Sequence, residues 1–248
     1  MADKLAEARF FDEDYSTGKR LVVGHVYSII QNRNDCYENL IFKDPAGQRV
    51  LEYGCGTGSR SFELARRGAE VVGIDISPVG VARATERAAN EGLKKASFEV
   101  MDAENMTFPD DSFDLVIGEG ILHHLDLEKS YREVSRVLKP TGRAVFQEPL
   151  GHNPAIEIFR RLTPSLRTKD EHPLHRSDLK MAERYFADVK VTCFHLTSFP
   201  ALVFRRTRLF RPTVDALDRL DAAIFRLVPP ARYLAWYAVI VLANPRKI

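Results

Sequence analysis

Hydrophobic and polar positions recur with two different periods along most of this chain. From Arg49 onward, short apolar runs of the strand type are separated by longer segments that have helical spacing and charged outer faces. The apolar runs are 49–53, 69–75, 96–102, 113–119 and 143–149. The helical segments between them include 59–68, 77–93 and 127–139. This alternation predicts a parallel sheet with helices on both faces.

The regions outside this repeating pattern predict a cap and two lids. Residues 1–45 have helical spacing with polar interruptions, and we interpret them as an N-terminal helical cap on a main domain that spans 46–248. Two segments near 151–177 and 200–230, rich in Pro, His or Arg, are predicted to be lid insertions over the active site. The remaining predicted elements are a helix over 177–187 and strands over 189–197 and 234–244.

Composition narrows the class of protein. The 248 residues are 45% hydrophobic, which suits one α/β domain with a small cap. Lys and Arg number 36 against 34 Asp and Glu, and this near balance argues against a nucleic-acid partner. The separated Cys36, Cys55 and Cys193 favour reduced thiols and a cytoplasmic location. The N-terminus lacks the apolar core of a signal peptide, and Pro and Arg interrupt the apolar tail 222–244, so we expect no membrane span.

A glycine-rich turn after the first apolar run is the strongest chemical signal. The stretch 50–58, VLEYGCGTG, carries an apolar strand into a G-x-G-x-G turn, and a helical segment follows at once. Glycines allow a ligand to approach the backbone closely, and the N-terminus of a helix presents free N–H groups to an anion. The spacing differs from the G-x-G-x-x-G of dinucleotide-binding proteins, and Glu52 precedes the turn inside the strand.

Three further acidic or glycine positions follow at the ends of the next strands. Asp75 closes the second run, where a carboxylate can accept hydrogen bonds from ribose hydroxyls. Asp102 closes the third run and can accept from an adenine amino group, while Ala103 offers a backbone N–H. Glu119 lies between two glycines at the end of the fourth run. Ligands of open α/β sheets bind at this carboxyl edge, so the four signals together predict a nucleoside-containing ligand.

Four blocks of sequence resemble the class I methyltransferases that depend on S-adenosylmethionine (SAM). They are VLEYGCGTG, VVGIDIS, MDAENMTFPDDSFDLVIGEGILHHL and LKPTGRAVFQEP, within residues 45–150. The similarity is greatest to the small-molecule branch that contains the ubiquinone and menaquinone methyltransferases. The resemblance implies a Rossmann-like α/β fold: a seven-stranded, mostly parallel sheet with helices on both faces, helical lid insertions and an antiparallel last strand.

The resemblance also implies roles for individual residues. The methionine end of SAM would be held by Glu52, Gly54, Gly56 and Gly58, with Glu119 nearby. Asp75 and Ile76 would bind the ribose and one face of the adenine, and Asp102 and Ala103 would bind the adenine edge. In many relatives an N-terminal segment covers the cofactor, which makes Tyr15, Tyr27 and Tyr37 candidates for contact.

The substrate side of the predicted site is less specific. Hydroxyl, amine and carbon nucleophiles often need a base during methyl transfer. Glu148, His124 and His152 are the candidates that we select as catalytic, from a set that also includes His123 and His172. The alternative for the histidines is a structural role or hydrogen bonding within a loop. No metal-ligand spacing stands out in the sequence.

Basic residues in the predicted lids suggest an anionic substrate. Arg160, Arg167 and His172 are the candidate substrate ligands, because arginine binds carboxylate or phosphate in a bidentate manner. The alternative is a solvated helix face, or pairing with Asp170 and Glu171.

Several other functions remain in competition. An NAD-dependent oxidoreductase fits the glycine spacing poorly, and a nucleic-acid methyltransferase would usually carry an added basic domain. A SAM-binding cyclase or regulatory module would keep the same cofactor motif. Within methyl transfer, a C-methyltransferase acting on the alkene of a prenyl diphosphate is a further alternative. The sequence therefore predicts a SAM-dependent methyltransferase for a small metabolite, and the basic lid residues suggest an anionic one.

Overall fold

A central seven-stranded sheet organises the structure, which is a computed structural model describing residues 4–17, 31–163 and 171–247. The strands are β1 (Arg49–Tyr53), β2 (Glu70–Asp75), β3 (Ala96–Val100), β4 (Phe113–Glu119), β5 (Leu138–Pro149), β6 (Phe186–Phe194) and β7 (Tyr237–Pro245). Their order is β3-β2-β1-β4-β5-β7-β6. The first five strands are parallel, and β7 runs antiparallel between β5 and β6. The predicted Rossmann-like sheet with an antiparallel last strand is confirmed.

Helices cover both faces of the sheet. They are α1 (Lys4–Thr17), α2 (Gln31–Ile41), α3 (Ser59–Arg66), α4 (Pro78–Asn90), α5 (Leu127–Val137), α6 (Pro154–Leu162), α7 (Arg176–Met181) and α8 (Phe210–Leu227). Successive strand residues belong to opposite cores: Leu51 packs in the cluster that contains Tyr131 and Val134 of α5, and Val50 packs with Leu64 of α3. Burial on both faces explains why the strands read as continuous apolar runs.

Local sequence chemistry sets several element boundaries. The Ser77 side chain accepts a hydrogen bond from the backbone N–H of Gly80 at 3.0 Å, and Pro78 occupies the first turn of α4. The Asp126 side chain accepts from the N–H groups of Glu128 and Lys129 and so caps α5. These caps satisfy helix N–H groups that have no partner within the helix.

The C-terminal third departs from the predicted boundaries. The helix predicted over 177–187 is shorter: α7 ends at Met181, a 3-10 turn spans Ala182–Arg184, and β6 begins at Phe186. The last strand begins at Tyr237, because residues Pro229–Leu234 form a 3-10 turn whose two prolines cannot donate backbone hydrogen bonds to a sheet. Strand β5 begins at Leu138, five residues earlier than predicted.

The segments predicted as lids are mainly helical where they are described. They contain α6, a 3-10 turn at Phe199–Phe204, and α8. Ile156, Ala201 and Val214 from these three elements pack with Trp236 and Tyr237 at the start of β7. None of the helices in the described ranges is long and apolar enough to cross a membrane.

Candidate active site

The carboxyl ends of four strands and helix α1 enclose one pocket. The residues that line it are Lys4, Glu7, Phe11, Tyr15, Gly54, Ile74, Asp75, Ile76, Met101, Asp102, Ala103, Glu119, Gly120, Ile121 and Leu125. Strands β1, β2 and β4 bring their ends together because they are parallel neighbours, and the loop after β3 adds the third acidic position. The structure thus gathers the predicted Asp75, Asp102 and Glu119 around one cavity.

The glycine-rich turn leaves no room for side chains on the pocket side. Gly56 has a φ of +49°, and a Cβ atom there would lie 2.5 Å from the hydroxyl oxygen of Tyr15. Gly58 has a φ of +78° and immediately precedes α3. A left-handed backbone of this kind favours glycine, and it lets the turn approach the pocket as bare backbone.

Glu52 lies beneath this turn rather than in the open pocket. Its carboxylate accepts hydrogen bonds from the backbone N–H of Ser61, at 2.9 Å, and from the Ser61 hydroxyl. Burial raises the pKa of Glu52 to about 7, although the hydrogen bonds from Ser61 act in the opposite direction. The acid therefore ties the end of β1 to the first turn of α3.

Asp75 fixes the turn to the next strand. One carboxylate oxygen accepts from the N–H of Gly56 at 2.7 Å, and the other accepts from the N–H of Ser77 at 2.8 Å. Burial raises the pKa of Asp75, and the two backbone hydrogen bonds lower it in part. Each oxygen has a second lone pair, so Asp75 can still accept from a ligand in the pocket.

Asp102 is held by the N-terminal helix. It accepts from the backbone N–H of Glu104 at 2.9 Å, and its other oxygen lies 2.5 Å from the Lys4 ammonium. Lys4 also lies 2.9 Å from Glu104. The carbonyl of Ala103 accepts a hydrogen bond from the buried Tyr53 hydroxyl at 2.7 Å. The Ala103 N–H is the group that the sequence analysis predicts to bind a ligand.

Two arginines that the sequence reasoning missed hold Glu119. Arg33 of α2 lies 3.5 Å from the Glu119 carboxylate and packs over the ring of Tyr237 at 4.1 Å. Arg60 of α3 approaches the same carboxylate at 3.4 Å and also pairs with Glu38. Nothing in the sequence around these two arginines predicts a contact with Glu119, because that contact depends on how α2 and α3 pack on the sheet.

Glu148 organises the turn after β4. It is fully buried, and one oxygen accepts from the N–H groups of Ile121 and Leu122 at 2.9 and 2.8 Å. Its other oxygen lies 2.7 Å from Nδ1 of His123. The carboxylate predicted as a base therefore engages two backbone donors and one imidazole.

The two adjacent histidines lie side by side beside the pocket. Their ring centroids are 4.2 Å apart, and Nδ1 of His124 is 3.2 Å from Glu7, which lines the pocket. Burial and the neighbouring His123 lower the pKa of His124. The backbone N–H of His172 donates to the carbonyl of His123 at 2.9 Å, which anchors the segment after α6 to this turn.

The remaining predicted substrate residues are dispersed. His152 is exposed and stacks on His175 with ring centroids 4.5 Å apart, and it is not among the residues lining the pocket. Arg160 pairs with Glu171 at 2.6 Å, as the alternative interpretation expected for the lid arginines. Of the tyrosines, Tyr15 lines the pocket and Tyr37 is buried in the core. Arg167 and Tyr27 lie outside the described residues.

The pocket lies at the carboxyl edge of the sheet, where a glycine turn and acids at the strand ends surround it. This arrangement defines an α/β domain that binds nucleotide-type ligands. Its strand order is that of the methyltransferases. Residues 44–194 match the family model described as "Methyltransferase domain", and the chain belongs to this family. The resemblance to class I SAM-dependent methyltransferases is thereby confirmed.

Curated relatives are similar over part of their length. Sterol 24-C-methyltransferase from Aspergillus fumigatus is 44% identical over 39% of this chain and 26% of its own length. Tocopherol O-methyltransferase from Arabidopsis thaliana is 44% identical over 40% of this chain and 29% of its own. Aklanonic acid methyltransferase from a Streptomyces species is 35% identical over 56% and 63%. The matched region thus spans from about a quarter to under two thirds of these relatives.

A solved structure shares the fold over nearly the whole chain. Phosphoethanolamine N-methyltransferase 2 from Haemonchus contortus, in complex with SAM, superposes with a TM-score of 0.67 over 95% of this chain and 60% of its own. Sequence identity is 20%, so the likeness concerns the fold.

Proposed function

We propose that this chain transfers the methyl group of SAM to a small molecule. The observation that carries the proposal is the convergence of the glycine turn, Asp75, Asp102 and Glu119 on one pocket. When bound, SAM would supply a methyl group that its sulfonium has already activated. Family membership over residues 44–194 and relatives named as small-molecule methyltransferases support the same reaction.

The residues of the pocket fit the three parts of this cofactor. Asp75 offers its remaining lone pairs to the ribose hydroxyls, and Ile76 offers an apolar surface to the adenine. Asp102 and the N–H of Ala103 match the donor and acceptor atoms of the adenine edge. Lys4, now bound to Asp102, would have to share that carboxylate with the ligand.

The methionine end would lie toward the glycine turn and Glu119. The open backbone at Gly54, Gly56 and Gly58 and the N-terminus of α3 favour a carboxylate there. Arg33 and Arg60 hold Glu119 in place and balance part of its charge. Glu119 can then face the ammonium group at the methionine end of SAM. Glu52 supports this region from below through Ser61.

Glu148 acts as a positioning residue for His123, and both lie beside the pocket rather than among the residues that line it. An ionised Glu148 can only accept, so the proton of the imidazole lies on Nδ1 and leaves Nε2 as the acceptor. The names of the relatives include carbon and oxygen methyltransferases, so the acceptor atom is a matter for experiment. An anionic substrate remains a proposal that a panel of matched anionic and neutral compounds would test.

Calorimetric titration with SAM and S-adenosylhomocysteine tests the cofactor site. We expect micromolar binding, worth roughly 8 kcal/mol, and at least tenfold weaker binding for Asp75→Asn. Asp114→Asn is the matched control, because Asp114 also accepts a backbone N–H, from Arg49 at 2.9 Å, but lies at the start of β4. Absence of binding by folded wild-type protein, or equal weakening in both variants, would refute the proposed site.

Formation of S-adenosylhomocysteine distinguishes methyl transfer from binding alone. A [4+2]-cyclase has the same fold, with a TM-score of 0.56 and 22% identity over 86% of this chain. We expect S-adenosylhomocysteine to accumulate with a methylated product when a suitable small molecule from the panel is added. Tight SAM binding with no turnover across hydroxyl, amine, carboxylate and prenyl diphosphate compounds would favour a cyclase or regulatory module.

A further inference from the structure

The carboxylate of Glu171 faces the two histidines that follow β4, and all three side chains are of types that bind metal ions. One donor atom each from His123, His124 and Glu171 lies within 4.8 Å of the other two. The histidines are buried, and the Glu171 side chain is 3% exposed. We propose that these three side chains form a binding site for a divalent transition metal, best matched by Zn²⁺, beside the SAM pocket.

The ligand set matches a known type of zinc site. Two histidines and one glutamate, with an open fourth position, are the protein ligands of several catalytic zinc centres. Bonds of about 2.1 Å at a tetrahedral angle separate two ligand atoms by about 3.4 Å. Nε2 of His123 lies 4.0 Å from Oε1 of Glu171, so a side-chain movement below about 1 Å would bring this pair to bonding geometry.

Both imidazoles already have the outer partner that zinc-binding histidines use. His123 Nδ1 lies 2.7 Å from Glu148, and His124 Nδ1 lies 3.2 Å from Glu7. A carboxylate at Nδ1 fixes the ring and directs Nε2, as an acceptor, toward a metal. The same arrangement recurs on two neighbouring rings, as expected for paired ligands.

The charge balance around the site also favours a divalent cation. Glu7, Glu148 and Glu171 supply three carboxylates within this buried cluster, and Arg160, 2.6 Å from Glu171, supplies one positive charge. Buried carboxylates are costly unless positive charge compensates them, and a divalent cation between the histidines and Glu171 would add to that compensation. Arg160 and the 4.0 Å distance to His123 both involve Oε1 of Glu171, so the metal would use the second lone pair of Oε1, or Oε2 after a rotation of the carboxylate.

The position of the site suggests which ligand would fill its open coordination place. Glu7 and Phe11 line the SAM pocket, and both contact His124: Glu7 through Nδ1 and Phe11 with ring centroids 5.4 Å apart. The metal would therefore lie one side chain away from the pocket. We infer, on the basis of the proposed function, that it orients a substrate with oxygen donors, such as a hydroxyl group next to a carboxylate.

Titration of chelator-treated protein with ZnCl₂ tests the site directly. We expect one equivalent to bind with micromolar or tighter affinity, and Glu171→Gln and His124→Asn each to weaken binding at least tenfold. The matched control is the double variant His152→Asn/His175→Asn, which removes the stacked histidine pair outside the site and should leave zinc affinity unchanged. Zinc binding that persists in Glu171→Gln and His124→Asn, or that is lost in the control, overturns the proposal.

Co²⁺ provides a readout that needs no variant. Wild-type protein loaded with one equivalent of Co²⁺ should show the visible absorption of a four- or five-coordinate site, and Zn²⁺ should abolish it. No absorption change with wild-type protein also overturns the proposal. SAM calorimetry on the metal-free protein separates the two hypotheses. If the protein binds SAM but does not bind zinc, the metal-site proposal is refuted and the proposed function is unaffected.

Discussion

At the scale of single residues, the buried carboxylates of this protein serve the backbone as well as the pocket. Asp75 accepts from Gly56 and Ser77, Glu52 accepts from Ser61, and Glu148 accepts from Ile121 and Leu122. Each of these acids joins the end of a strand to the backbone of a neighbouring turn or helix. Such bonds keep buried N–H groups satisfied, and they explain why acids occupy the ends of otherwise apolar strands.

The ionisation of Glu52 should make stability depend on pH. Its pKa is raised to about 7 in the folded protein, so its contribution to stability is full below the ordinary pKa of 4.5 and is lost as the pH rises through about 7. Between pH 5 and pH 8 the free energy of unfolding should fall by up to about 3 kcal/mol through this residue. Urea denaturation of wild type and Glu52→Gln at both pH values measures the difference.

The Glu52→Gln variant keeps an acceptor for Ser61 but cannot ionise. Its free energy of unfolding should therefore decrease less between the two pH values than that of the wild type. Equal decreases in the two proteins would show that Glu52 does not titrate in this range. Asp114→Asn is a suitable control, because the pKa of Asp114 is already lowered, through its hydrogen bonds to Lys139 and Arg49 and despite partial burial.

The sequence identified most of these residues but not what they do. Glu52, Asp75 and Asp102 stood out because they follow apolar runs, and the ends of parallel strands share one edge. The pairing of Glu148 with His123 was not predictable, since it joins residues from β5 and from the turn after β4. Arg33 carried no signal for the same reason.

At the scale of elements, helix α1 acts as one wall of the pocket. Lys4, Glu7, Phe11 and Tyr15 recur at spacings that place them on one side of the helix, and all four line the cavity. Asp12 anchors the helix, because it accepts from the Ser77 hydroxyl and from the N–H of Val79 at 3.3 Å at the start of α4. The predicted N-terminal cap thus includes a helix that touches the site itself.

Removing the Asp12 anchor should loosen α1. The loss of such a cap costs about 1 kcal/mol, which raises the population of the undocked helix roughly fivefold. Tryptic cleavage at Arg9 should accelerate by a similar factor in Asp12→Ala, because proteolysis follows the open population. Saturation with S-adenosylhomocysteine should slow cleavage of the wild type.

Ser16→Ala is the control for that experiment. The Ser16 hydroxyl donates only to the carbonyl of Asp12 within the same helix, at 2.6 Å, so its removal should leave the docking of α1 unchanged. Equal cleavage rates for Asp12→Ala and wild type would show that the other contacts of α1 suffice to hold it.

At the scale of the whole molecule, the pocket joins the N-terminal helix α1 to the carboxyl ends of strands β1 to β4. Ligand binding should therefore stabilise the fold as a unit. At a concentration of S-adenosylhomocysteine one hundred times its Kd, the gain is about 2.7 kcal/mol. For a protein of this size each kcal/mol raises Tm by about 2–4 °C, so we expect an increase of about 5–10 °C.

Thermal denaturation followed by circular dichroism measures this shift. Asp75→Asn, with binding at least tenfold weaker, should shift by about half as much or less at the same ligand concentration, and Asp114→Asn should shift like the wild type. A wild-type Tm that does not change at saturation would mean that the ligand binds the unfolded chain equally well or does not bind at this site.

The sequence by itself determined the sheet, its edge and the acids at that edge. All three follow from local patterns: apolar runs of strand length, helical spacing between them, and a glycine turn that needs bare backbone. The tertiary structure decided which side chains meet across those elements. Arg33 reaches Glu119, Glu7 reaches His124, and Glu171 reaches His123 only after the chain is folded. Contacts between residues far apart in sequence depend on packing distances that no local pattern contains, and for that reason the histidine–glutamate cluster became visible only in three dimensions.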